Sequence, residues 1–141
     1  MGVLAHRLAV AEEQTRRLKE LGQQLSYEKF SSDENARIIA ERRLHLCLEA
    51  LMDAGLRLVS LMGLERPERY RDLPSLLVKL GVLSGEEGQL FERMVSFRNV
   101  LVHLYADLNS ARVYQALERV EDLATITARL VQFLQKRGLD P

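Results

Sequence analysis

The fold class this sequence predicts is all-α: a single bundle of about five helices. Three observations carry that prediction. Apolar residues recur at alternating steps of three and four along most of the chain. Ser-x-x-Glu boxes and well-placed glycines punctuate that rhythm as helix starts and stops. There is no alternating β-branched run and no Asn-Gly or Asp-Gly hairpin signal. At 141 residues, 47% hydrophobic and 28% charged, the chain has the size and balance of one globular domain spanning residues 1–141.

Leu4, Leu8, Ala11, Thr15, Leu18, Gly22 and Leu25 form the seam of a first amphipathic helix, which should end near Gln24. Ser31-Ser32-Asp33-Glu34 reads as a capping box, with Ser31 serving the first-turn amides and Glu34 reaching back. A long second helix follows from about Asp33 to Met62, with Gly63 as its stop. Pro67 interrupts the polar connector after it. Asp72 is placed to cap a short third helix that tolerates Pro74 in its first turn and closes at Gly81. Ser84-Gly85-Glu86-Glu87 opens a fourth helix, expected to run to Tyr105 or Ala106. Asn109 should cap a fifth, whose seam is Val113, Ala116, Val120, Leu123, Thr127, Leu130 and Leu134. The last four residues should fray.

Formal net charge is +0, so no global basic field marks the chain as a general nucleic-acid binder. Any RNA contact must be local. Arg37, Arg42 and Arg43 are one source of such local charge. Cys47 stands alone, which excludes an internal disulfide and thiolate clusters and suits a small buried hydrophobe. Neither a secretory leader nor a membrane-length apolar run is evident, so a cytoplasmic location is expected.

Chemistry concentrates in Arg98-Asn99-Val100-Leu101-Val102-His103-Leu104-Tyr105. On an ideal helix Arg98 and Tyr105 share a face about 20° apart, and Asn99 and His103 another about 40° apart. Arg98 and His103, however, are separated by about 140°. Converging them takes a distorted helix end or a second chain across a two-fold axis. The residue types suit metal-free RNA cleavage. Histidine moves protons near neutral pH, and arginine holds charge developing on phosphorus. Asn99 is placed to bond the histidine or substrate, and Tyr105 to stack or donate a proton. A structural reading stands beside this one, with Arg98 and Asn99 as a buried hydrogen-bond hub and His103 as a satisfied core histidine. Glu41, His45, Glu49 and Asp53 make one polar stripe along the second helix, too sparse for a metal site. Glu41 or Glu49 is the candidate to orient Arg98 or His103 from that neighbouring helix.

The run FRNVLVHLY resembles the Arg-x4-His-x-Tyr signature of HEPN domains, and within them the HepT-like toxins. The likeness extends to AERRLHLCLEALMDAGLRLVSLMG and PERYRDLPSLLVKLGVLSGEE. It implies a HEPN-type antiparallel helix bundle, homodimeric, whose two motif helices meet in a cleft. It further implies an endoribonuclease toxin needing neither metal nor cofactor, with Arg98 and His103 catalytic and Asn99, Glu41 and Glu49 in support. RNA, as tRNA or mRNA, would be its substrate. An MntA-like nucleotidyltransferase antitoxin would neutralise it by transferring AMP to Tyr105. Many members of that family carry an acid where this chain has Leu104, so any part that acid plays is absent. The alternative is a non-catalytic, nucleotide- or RNA-binding partner subunit of a minimal nucleotidyltransferase.

Overall fold

A computed structural model describes residues 2–102 and 110–138. Among them seven α-helices follow in order, with no strand: α1 (Val3–Gln24), α2 (Tyr27–Ser32), α3 (Glu34–Leu61), α4 (Leu73–Lys79), α5 (Gly85–Val102), α6 (Ser110–Glu118) and α7 (Val120–Arg137). The first helix buries Leu4, Leu8, Ala11, Thr15 and Leu18, the seam its spacing predicts, and ends at Gln24 as expected. Thr15 satisfies its hydroxyl within the helix by donating to Glu12 O at 2.8 Å.

Helix α2 is a correction to the sequence reading. Ser31 does not open the long helix; it lies inside α2, with its hydroxyl donating to Glu28 O. Ser26 caps α2 by accepting from Lys29 N, and Asp33 caps α3 by accepting from Ala36 N at 3.1 Å. Six residues cannot sustain a helix by propensity. This one is held because Phe30 is fully buried against Tyr114 of α6, ring centroids 5.3 Å apart. Tyr114 in turn donates its hydroxyl to Leu25 O at 2.7 Å, pinning the α1–α2 link.

Helix α3 is the central element. It runs antiparallel to α1: Arg43 Nη1 donates to Gln14 Oε1 at 3.0 Å, and Cys47 meets Ala11 at the next turn in the opposite sense. Its stop is the one expected. Gly63 takes φ +78°, and Gly63 N and Leu64 N bond back to Ser60 O and Val59 O. The connector carries a 3₁₀ turn at Tyr70–Asp72 that leads into α4. Asp72 does not cap that helix through its side chain, which accepts instead from Arg69 Nε at 3.2 Å; Pro74 does occupy the first turn. Gly55 of α3 lets Leu73 and Leu77 of α4 approach closely.

The Ser84 box forms reciprocally. Glu87 N donates to Ser84 Oγ at 3.1 Å, and Ser84 N donates to Glu87 Oε1 at 2.8 Å. Glu87 also receives Arg129 Nε at 2.9 Å, which docks α5 on α7. The expected fifth helix is two. Arg119 leaves helical geometry at φ −102°, ψ +12°, and separates α6, which packs on α2, α3 and α1, from α7, which lies along α1 and α5. Neither Gly nor Pro marks that break, because packing against different neighbours imposes it. The Asn109 cap and the expected end of α5 at Tyr105 or Ala106 fall outside the described residues.

Candidate functional site

Arg98 stands seven residues after Phe91, so it continues the face on which α5 buries Phe91 and Val95. A guanidinium brought to the margin of a core needs partners. Glu49 of α3 supplies the main one: Arg98 Nε donates to Glu49 Oε1 at 2.5 Å, with the two side chains 19% and 31% exposed. His45 Nε2 lies 3.3 Å from the same oxygen. Arg98 Nη1 donates to Asn99 Oδ1 at 3.2 Å, and the guanidinium carbon lies 5.4 Å from the Tyr70 ring centroid. Arg98 is thus held from three directions by α3, by its own helix and by the 3₁₀ turn. Among the described residues nothing accepts from Nη2.

The structure brings together Arg98, Asn99 and Glu49 of the residues singled out in the sequence. Glu41 lies two turns before Glu49, and burial pushes its carboxyl up from the ordinary carboxylate range, an effect Arg37 partly offsets. No ion pair joins Glu41 to Arg98 among the described residues. Of the three basic residues expected to add local charge, Arg43 is turned towards Gln14 of α1, and Arg37 Nε is buried with no hydrogen-bond partner among the described residues. His103, Leu104 and Tyr105 lie outside the described residues. Among those that are described, no three His, Cys, Asp or Glu side chains come together in a way that holds a metal ion.

Two neighbours of Arg98 escape a reading of the motif alone. His45 appears in the sequence only as one member of a polar stripe, with no hint that it lies beside the oxygen that binds Arg98. Tyr70 sits in a polar connector where nothing in its spacing points to α5. The one available signal is its place in the PERYRDLP block, on which the family resemblance partly rests.

A family model described as ribonuclease HepT-like matches residues 11–130, a span that holds both helices of this cluster and the whole Arg98–Tyr105 run. The chain belongs to the ribonuclease HepT-like family. A relative from Bacillus subtilis (strain 168), named "Putative RNase YutE", is 24% identical over 118 residues, covering 84% of this chain and 72% of its own length. The solved structure of YutE, a cytosolic protein of unknown function, superposes with a TM-score of 0.81 at 22% identity, covering 98% of this chain and 92% of that one. A tri-AMPylated HEPN toxin of Shewanella oneidensis, solved in complex with an MNT antitoxin, gives a TM-score of 0.82 at 21% identity, covering 94% of this chain and 99% of that one. At these identities the superpositions establish the fold, and the HepT-like chain has the HEPN-type helical fold that its signature leads one to expect.

Proposed function

We propose that this HepT-like protein is the toxin of a toxin–antitoxin pair: a metal-independent endoribonuclease that works in a cleft between two copies of the chain. The observation that carries the reading is Arg98, fixed by Glu49 and Asn99, with its Nη2 unengaged among the described residues. In the proposed reaction His103 takes the proton of a ribose 2′-hydroxyl. The 2′-oxygen attacks phosphorus, and the bond to the 5′-oxygen breaks. A protonated histidine, from the same or the second chain, returns a proton to that leaving oxygen. Products are a 2′,3′-cyclic phosphate and a 5′-hydroxyl. Arg98 holds the charge that builds on the non-bridging oxygens, where a preorganised cation is most effective. Glu49 positions it, and Asn99 steadies the fork.

The dimer has its own support. Ile38 and Ile39 are 53% and 46% exposed on α3. Ile38 lies on the stripe that continues through Glu41, His45 and Glu49. Covering that stripe with its two-fold mate buries the isoleucine and brings two Arg98–Glu49 pairs towards one cleft. Control by AMP transfer to Tyr105 from an MntA-like nucleotidyltransferase is supported by the likeness to the tri-AMPylated toxin bound to its antitoxin.

The test is cleavage of total RNA and tRNA by the purified protein in EDTA. Cleavage should leave cyclic phosphate ends. Arg98→Ala and His103→Ala should each lower the rate by about 100-fold or more. The folded dimer should survive either change. RNA that is bound but never cut would overturn the catalytic reading in favour of the non-catalytic partner subunit. Intact mass after co-expression with the cognate nucleotidyltransferase should show AMP-sized additions that Tyr105→Phe abolishes.

A further inference from the structure

On the other flank of α5 from Arg98 lies a second feature that the proposed cleavage chemistry does not use. An open groove of about 370 Å³ runs between α3, α5, α6 and α7. Its floor is apolar, formed among others by Leu48, Met94, Phe97 and Leu123. Three arginines stand around that floor: Arg93 of α5, Arg112 of α6 and Arg119 at the α6–α7 break. Among the described residues that line it, Asp122 is the one carboxylate, and it lies 3.7 Å from Arg119 Nη1. Among the described residues Arg93 and Arg112 form no ion pair; Arg112 lies 5.8 Å over the Phe97 ring. In a protein of zero net charge, an excess of two positive charges around one apolar concavity is a local concentration.

We infer that this groove is a subsite for one nucleotide of a single-stranded RNA, its base on the Phe97 side of the floor and its phosphate among Arg93, Arg112 and Arg119. The inference extends the ribonuclease reading to how the substrate strand is held. The volume falls within the range of small-ligand sites. Flat aromatic bases stack on Phe rings and on arginine planes, and phosphates take the arginine fork. A purely apolar occupant would leave Arg93 and Arg112 facing hydrocarbon. Charge complementarity therefore selects an anion with an aromatic part. Continuity with the candidate site points the same way. Phe97 and Arg98 are consecutive on α5, as Leu48 and Glu49 are on α3, so groove and cluster are about one residue's rotation apart on both helices.

The experiment is binding of a fluorescent single-stranded oligoribonucleotide to the full chain, across a salt series and in EDTA. Cleavage of the same oligonucleotide is followed in parallel. Arg93→Gln/Arg112→Gln should weaken binding about tenfold near 0.1 M salt. It should also flatten the log–log salt dependence by about 0.7 for each phosphate that the protein no longer neutralises. Phe97→Leu should weaken binding with the slope unchanged. Thermal unfolding of each variant keeps loss of fold apart from loss of affinity. Wild-type affinity and slope in the double variant would overturn the subsite, as would a wild-type protein that binds no RNA. So would equal, arginine-dependent binding of polyglutamate, which lacks bases. Cleavage that survives the double change with unaltered KM removes the groove and leaves the ribonuclease. Groove-dependent binding without any cleavage removes the ribonuclease and leaves the groove.

Discussion

A single carboxylate oxygen organises the site. Glu49 Oε1 accepts from Arg98, so one residue of α3 fixes a cation of α5, and the His45 imidazole one turn earlier lies 3.3 Å from the same oxygen. The motif shows that Arg98 and Asn99 matter as a pair, because two polar side chains in an apolar run demand partners. It does not show that Tyr70 covers the guanidinium, since a contact across twenty-eight positions of chain leaves no periodic trace. Glu87 illustrates a residue whose capping role the sequence states, though not its tie to Arg129. The Ser84 amide, and then Arg129, hold its carboxyl below the ordinary range. A lowered folded value means stability present above the unfolded value of about 4.5 and lost as pH falls through the folded one. Glu87→Gln should therefore cost about 1 kcal/mol at pH 7. Denaturation curves of the variant and the wild type should converge as pH falls through the folded value, below which the carboxylate is protonated in both states.

Helices are legible where their signals are local. The α1 seam, the Gly63 stop and the Ser84–Glu87 box all involve residues within a turn or two of one another, and all appear in the structure. Helix α2 and the break at Arg119 are not legible, because both answer to distant packing: Phe30 against Tyr114 in one case, two different neighbour sets in the other. The α4–α5 contact is set by a missing side chain. A Cβ on Gly88 would fall 2.4 Å from Val78 Cγ2, closer than any real contact. Gly88→Ala should destabilise the protein by about 1–3 kcal/mol through overpacking. Adding Val78→Ala should recover part of that loss in chemical denaturation, whereas a purely helical effect of alanine would show stabilisation from the first change alone.

For the whole molecule, balanced charge and an exposed isoleucine matter together. Zero net charge gives little long-range repulsion between copies, and Ile38, exposed on α3, is where the proposed dimer would meet. Ile38→Glu should yield a monomer by sedimentation at micromolar concentration. If the site needs both chains, that variant should lose RNA cleavage while its helical content is unchanged. A cleaving monomer would show that a distorted helix end converges Arg98 and His103 within one chain. The sequence sets this choice through the 140° separation on an ideal helix.

Cys47 gives the molecule a clock. Its thiol is fully buried at the α1–α3 seam, directed at Ala11 O at 3.8 Å, and burial pushes its pKa to about 12. Thiolate is the reactive form, so in the closed state the group is both shielded and almost wholly unionised. Alkylation then proceeds only through conformations in which α1 has lifted from α3. As the sole sulfhydryl in 141 residues, Cys47 makes the blocking rate a direct count of those openings, with no probe to install.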